Sequence, residues 1–252
     1  MDLIDSHCHL DDDRLDVNRD AIISRAAAAN VTRMVVPSTT ANRWEKVKLV
    51  CQTPGFYPAY GLHPMFVEQH QVVHLRELDE WLEREQPVAV GECGLDFFSS
   101  RVDEKWQKQL FSEQLKMATN RKLPVIVHAR KAMDEVISLL RQYAQYGGVV
   151  HSFAGSQQQA RQLYDLGFKL GIAATISFAR AQKLRTVVST MPEDALLLES
   201  DAPDQPGAGH RGELNEPAYI VEHLRIMAEL RNTDLQTLAA RLNRNAEHLF
   251  DI

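Results

Sequence analysis

The sequence predicts an α/β protein folded as a (β/α)8 TIM barrel, and three observations carry that prediction. Short apolar runs alternate eight times with longer amphipathic stretches, the pattern of repeated βα units. The chain has 252 residues, close to the roughly 250 typical of such a barrel. The first strand-to-helix turn has no glycine, whereas an open doubly wound sheet, the runner-up architecture, normally has a Gly-rich turn there. No composition shift or low-complexity tract marks a linker, so a single domain over 1–252 is expected.

Leu3–Ser6 reads as the first strand, followed by a helix over Arg14–Ala29, whose alanine run favours helix. Thr32–Pro37 and Phe56–Gly61 are the next strands, with a helix over Ala41–Gln52 between them. A helix rich in Leu, Glu and Arg, His74–Glu85, precedes a fourth strand at Pro87–Gly91. The long helix Lys105–Lys122 leads to the fifth strand, Leu123–His128, whose Pro124 is acceptable at a strand start. Met133–Tyr143 is helical, Gly148–His151 is the sixth strand, and Ser156 is placed to cap a helix over Gln157–Leu166. Phe168–Ile172, a helix over Ala179–Ser189 and the strand Ala195–Ser200 complete the alternation. Two helices close the chain, Ala218–Arg231 and Leu235–Leu249.

Composition narrows the function classes. The apolar fraction of 44% and charged fraction of 25% are those of an ordinary globular protein. A net charge of −6 supplies no global positive field, so any polyanion site must be a local basic patch. Cys8, Cys51 and Cys93 are odd in number and widely spaced, which fits buried thiols in a reducing compartment better than a disulfide framework. The sequence opens directly into a strand, without a charged-then-apolar leader, and no apolar run approaches the ~18 residues of a membrane span. A cytoplasmic, monomeric enzyme without membrane attachment is expected.

The chemistry is concentrated at the strand ends. Parallel strands buried on both faces should be nearly continuous Val, Ile and Leu. Five strands break that rule, each at its C-terminal end. Leu3, Asp5, His7 and His9 share parity on the first strand; Val88, Val90 and Glu92 do so on the fourth. Ile126 pairs with His128, Val149 with His151, and Leu197 with Glu199 and Asp201. If those parities face the axis, His7, His9, His128, His151, Glu92 and Asp201 converge on the C-terminal mouth, where barrel active sites form. Each alone has a bland reading: a lone strand-end His is commonly a hydrogen-bonded rim residue, and either carboxylate could cap the loop that follows. Coincidence at five strand ends argues otherwise. Crowded carboxylates repel and raise one another's pKa, so this mixture of imidazole and carboxylate calls for one or two divalent cations.

Asp5-Ser6-His7-Cys8-His9-Leu10, Gly61-Leu62-His63-Pro64, Gly91-Glu92-Cys93-Gly94-Leu95-Asp96, Pro124 to Arg130, His151-Ser152-Phe153-Ala154-Gly155 and Glu199-Ser200-Asp201-Ala202-Pro203 occur in this order. In this the chain resembles the TatD-family metal-dependent hydrolases over essentially its whole length, with Asn245 to Phe250 similar to that family's closing helix. The resemblance implies an amidohydrolase-type barrel with a one- or two-metal site that hydrolyses phosphodiesters, typically DNA from its 3′ end. On matching positions His7, His9 and Asp201 would hold one metal, His128 and His151 the other, and Glu92 would bridge them. Two departures stand out. Cys93 replaces a usual Ile, a packing change, and Glu213 and Leu214 dilute the basic loop after Asp201, which weakens the case for tight binding of long DNA more than the case for hydrolysis.

Within that frame Glu92 can bridge because a carboxylate has two oxygens, and Asp201 would accept the proton of the attacking water or orient it. Four imidazoles favour Zn2+ or Mn2+ over Mg2+; Zn2+ is the ion expected to be retained, with Mn2+ or Mg2+ possible in turnover. His63, Arg130 and Arg211, together with Arg180, are candidates to contact substrate phosphates, the alternative being solvated surface or structural ion pairs. Asp5 and Glu199, one or two steps deeper, are expected to orient ligand histidines, or one of them to stay protonated. Phe97, Phe98, Phe153 and Phe178 could stack bases or simply pack. The expected substrate is a DNA end or a short oligonucleotide. The alternatives are a small metabolite cleaved at a C–N or C–O bond, and a metal-stabilised binding protein without turnover.

Overall fold

The computed structural model describes residues 2–98 and 103–252. Eight parallel strands lie in chain order in one sheet: β1 (Leu3–Asp5), β2 (Val31–Pro37), β3 (Phe56–Tyr60), β4 (Ala89–Asp96), β5 (Val125–Arg130), β6 (Gly148–Val150), β7 (Phe168–Ile172) and β8 (Leu196–Leu198). Between them run α1 (Arg19–Ala28), α2 (Trp44–Val50), α3 (Val72–Glu85), α4 (Glu104–Arg121), α5 (Met133–Tyr143), α6 (Gln157–Asp165) and α7 (Gln182–Thr190); α8 (Ile220–Arg231) and α9 (Leu235–Phe250) follow β8. The seam between β1 and β8 is stitched by backbone hydrogen bonds from Ser6 N to Leu198 O (3.0 Å), Asp201 N to His7 O (2.9 Å) and His9 N to Ala202 O (2.7 Å). The sheet is thus a (β/α)8 barrel, and its closure uses the segments that carry His7, His9 and Asp201.

Two apolar layers hold it. Ile4, Val35, Ala59, Ala89, Ile126, Val149 and Leu197 form a buried cluster inside the barrel, and Ala246 and Phe250 of α9 join it. Asn245 Nδ2 of α9 donates to Leu196 O (2.9 Å) at the start of β8, so α9 lies across the N-terminal ends of the strands. Leu3, Met34, Val36, Val90, Val125, Val127, Val150, Leu196 and Leu198 face the other way and pack with the helices. Each such side chain contributes about 1.5–3 kcal/mol on burial, which offsets the cost of a polar layer at the opposite end of the barrel.

Stepping by two from the inner cluster carries Ile126 to His128, Val149 to His151 and Leu197 to Glu199, as alternation predicts. On β1 and β4 the parity argument fails. Leu3 and Val90, which share parity with His7 and Glu92, pack in the outer layer, while Ile4 and Ala89 point inward. His7 and Glu92 still reach the interior because regular pairing breaks: β1 ends at Asp5, and the β4–β5 register shifts between Val90 and Cys93.

Other boundaries also differ from expectation. The segment expected to be helical from Arg14 begins with a 3-10 turn, Asp13–Leu15, and α1 starts only at Arg19. A 3-10 segment, Pro64–Gln69, follows β3. β4 runs five residues past Gly91, to Asp96. Gly94 (φ +142°) makes this extension possible: a Cβ there would lie 2.0 Å from the His128 carbonyl oxygen of β5. Among the described residues no helix is long and apolar enough to cross a membrane, and the three cysteines are free thiols.

Candidate metal centre

Glu92 is the hub of the C-terminal mouth, and its two oxygens divide the imidazoles. Oε1 lies 2.7 Å from His151 Nε2, 2.9 Å from His63 Nε2 and 3.1 Å from His128 Nδ1. Oε2 lies 3.1 Å from His7 Nε2 and 3.3 Å from His9 Nε2. Asp201 Oδ1 stands 3.6 Å from His7 Nε2 and 3.7 Å from His9 Nε2, while Gln205 donates to its other oxygen. All six residues expected to hold metal are therefore gathered around one point, and His63 joins them.

Local structure fixes which nitrogen each ring presents. His9 Nδ1 is 3.1 Å from the Pro37 carbonyl, which can only accept; the ring proton sits there and Nε2 offers its lone pair to the cavity. His128 works in reverse. Its Nε2 lies 2.9 Å from Asp96 Oδ2, so Nε2–H donates outward and Nδ1 offers the lone pair. His63 differs from both. It is the N-cap of the Pro64–Gln69 turn, and its Nδ1 accepts from Met65 N (3.0 Å). The neutral ring therefore carries its proton on Nε2, aimed at Glu92. Burial drives the His63 pKa down to about 4, which keeps it neutral near pH 7. Although three donor sets cluster within 4.8 Å, namely His7-His9-Asp201, His7-Glu92-His151 and His63-Glu92-His128, His63 is built as a hydrogen-bond donor rather than a ligand.

The donor set fits divalent cations. Glu92 Oε2 has the Nε2 atoms of His7 and His9 at contact distance yet no hydrogen bond, and those two nitrogens face each other at 3.2 Å. Lone pairs converging without aligned hydrogens are what cations would satisfy. Burial pushes Glu92 up, but the facing His151, His63 and His7 outweigh it and hold the carboxyl well below its usual range.

Behind the centre, Asp5 Oδ1 accepts from His7 N (3.2 Å) and Ser200 N (2.9 Å), and burial raises its pKa to about 7. Glu199 Oε1 accepts from Ser152 N, lies 3.9 Å from His151 Nδ1, and is raised by burial to about 8. Both orient backbone more than imidazole, and the raised Glu199 carboxyl fits the other expectation, that one of the two stays protonated. Glu199 fits only because β7 has Gly171 beside it: a Cβ there would lie 2.0 Å from Oε2.

Outward from the hub is a cavity of about 490 Å3, lined in part by His9, His63, Glu92, Arg130 and Asp201. The Arg130 guanidinium sits 3.7 Å over the exposed Phe98 ring and 3.9 Å from Asp96. Arg211 is not brought to the cavity wall; it packs 5.1 Å from the Phe178 ring, with Arg180 at 5.5 Å from the same ring. Phe97 and Phe153 are buried and serve packing. The residues that sequence reasoning missed are Asp96 and Gln205. Asp96 was within reach, because 92, 94 and 96 alternate once β4 is allowed past Gly91.

Barrel and donor set together define a metal-dependent hydrolase, and comparisons with known proteins agree. The family described as TatD related DNase matches residues 4–251, and the chain belongs to that family. It is 39% identical over 253 residues to the uncharacterized metal-dependent hydrolase YjjV of Escherichia coli K12, covering 99% of this chain and 98% of that one. It is 32% identical to the uncharacterized metal-dependent hydrolase YabD of Bacillus subtilis, covering 99% of each. A crystal structure of E. coli YjjV matches with a TM-score of 0.95 at 38% identity, over 99% of this chain and 98% of that one. A TatD-family hydrolase from Entamoeba histolytica, 22% identical with a TM-score of 0.85, over 99% and 98% of the two chains, shares the fold.

Proposed function

We propose that the protein is a phosphodiesterase acting on DNA ends or short oligonucleotides from the 3′ side, with two divalent ions held on either side of Glu92. The observation that carries this reading is the division of the Glu92 oxygens, Oε2 toward His7 and His9 and Oε1 toward His128 and His151. A carboxylate that faces two sets of imidazoles is suited to bridging two cations, a recurring arrangement in phosphodiester hydrolysis. His7, His9 and Asp201 would hold one ion, His128 and His151 the other, with Zn2+ the ion expected to be retained and Mn2+ or Mg2+ able to serve. When bound, such ions polarise a water molecule and neutralise charge that builds on phosphoryl oxygens.

The chain's own residues supply the rest. Asp201, with Oδ2 held by Gln205 and Oδ1 turned to the hub, takes the proton of the attacking water. His63, protonated on Nε2 only, would turn that proton from Glu92 Oε1 to a phosphoryl oxygen as charge develops there. Arg130 on the cavity wall meets a neighbouring phosphate. Arg211, away from the wall, would serve only a longer strand, and Glu213 beside it makes that contact weak. The protein is expected to act as a monomer in the cytoplasm.

The test is an assay of the Mn2+- or Zn2+-loaded protein on bis-p-nitrophenyl phosphate, a 3′-labelled oligonucleotide, and a panel of amides and lactones. Cleavage of the first two, largely lost in Asp201→Asn, is expected. Turnover confined to amides or lactones would reject the phosphodiesterase reading, and full activity in Asp201→Asn would reject the role of that residue.

A further inference from the structure

A second recess, of about 280 Å3, adjoins the main cavity and shares His9, His63, Met65 and Asp204 with it. Whole small-molecule sites span roughly 300–1,000 Å3, so the recess has room for one compact unit rather than a run of strand. Its walls differ from those of the cavity. Met65 and Phe66 give an apolar side, while Thr40, Asn42 and Gln69 give hydroxyl and amide groups. The Thr40 hydroxyl donates to Asn42 Oδ1, and the Asn42 amide nitrogen has no partner among the described residues. Asp11 lines the recess at 3% exposure, and its Oδ1 has no hydrogen-bond partner. A buried oxygen of that kind is costly unless a ligand supplies a donor.

Charge decides what the ligand can be. Asp11, Asp12 and Asp204 line the recess against two guanidiniums, Arg14 and Arg43. Arg14 is taken up by Asp12 and Asp204 at 2.8–3.0 Å, and Arg43 by Asp13 at 2.5–2.6 Å. Both guanidiniums are already neutralised by carboxylates, and Asp11 would repel a phosphate. The recess suits an uncharged group with a flat face for Phe66 and hydroxyl or amine donors for Asp11.

Resting on the nuclease reading above, we propose that this recess seats the terminal nucleoside of the strand, that Asp11 accepts a hydrogen bond from its free 3′-hydroxyl, and that a 3′-phosphate is excluded. The strand would then leave through the main cavity past Arg130, with the scissile phosphate between the two spaces. Water adds to phosphorus and the bond to O3′ of the preceding nucleotide breaks. The terminal nucleotide departs with its 5′-phosphate, and the strand retains O3′ and takes up a proton.

The experiment uses the full chain loaded with Mn2+. Two 5′-labelled oligonucleotides, identical except for a 3′-hydroxyl or a 3′-phosphate, are followed for release of the first nucleotide. The hydroxyl end should be trimmed at least tenfold faster, and Asp11→Asn should narrow that ratio to under threefold. In parallel, thymidine 5′-phosphate and thymidine 3′,5′-bisphosphate compete against bis-p-nitrophenyl phosphate, and the monophosphate should inhibit at least tenfold more tightly. Equal trimming of both ends by the unmodified protein, or a ratio untouched in a folded Asp11→Asn, overturns the proposal. If bis-p-nitrophenyl phosphate is cleaved but no oligonucleotide is, the nuclease reading fails; the recess then stands on the competition arm alone, where a bisphosphate that binds as well or better refutes it.

Discussion

Asp96 Oδ2 lies 2.9 Å from His128 Nε2, and that contact decides which nitrogen of His128 faces the cavity. Phe98 N donates to the other carboxylate oxygen (2.9 Å), so the carboxylate itself is held in place. Loss of such a partner costs about 10–100-fold in metal affinity. Asp96→Ala should bind Mn2+ or Zn2+ that much more weakly in calorimetric titration while keeping its circular dichroism spectrum. Unchanged affinity would mean that His128 is oriented by packing alone.

His63 and His9 sit side by side at the hub but present opposite faces, one an N–H and the other a lone pair. His63→Ala is therefore expected to retain metal within about threefold and to lose turnover by about 10²–10³-fold, as for removal of one preorganised donor. His9→Ala should lose metal as well as turnover. Metal analysis of the two purified variants separates the roles, and depletion of metal in His63→Ala would make it a ligand.

If the ions bind only the folded chain, their removal lowers stability by mass action. Excess chelator should lower the melting temperature of protein previously held at 100 times Kd by an amount equivalent to about 2.7 kcal/mol, and added Zn2+ or Mn2+ should restore it. A melting temperature indifferent to chelator would argue against tight sites.

His223 gives a pH dependence independent of the centre's occupancy. It is 1% exposed, its Nδ1 donates to Glu199 O (3.2 Å), and burial lowers its pKa to about 4. Between pH 4 and 6.5 the unfolded chain binds a proton there that the folded chain does not, so stability rises with pH across that window and is lost on acidification. The contribution is up to about 3 kcal/mol. Denaturant melts at pH 7.0 and 5.0 should show a smaller drop for His223→Gln than for the unmodified protein; an equal drop would place the acid sensitivity elsewhere.

The sequence made the barrel legible because hydrophobic alternation is a local property, and β7 (Phe168–Ile172) and α5 (Met133–Tyr143) fall on their expected bounds. It was less able to describe how residues reach the site. Parity placed His128 and His151 for the right reason, but His7 and Glu92 arrive through irregular pairing, which no periodicity encodes. The fourth strand was expected to end at Gly91, whereas the missing Cβ of Gly94 lets β4 continue beside β5 to Asp96. The protonation of His63 depends on a cap to Met65, and the recess at Asp11 on packing between distant loops; both are visible only in three dimensions.

On the proposed reading Glu92 would stand between two cations. Anomalous diffraction from crystals soaked in Mn2+, recorded above the manganese edge, tests it most directly. Two peaks are expected on opposite sides of the Glu92 carboxylate, one beside His7, His9 and Asp201 and one beside His128 and His151. A single peak away from Glu92, or none at saturating Mn2+, would contradict the account.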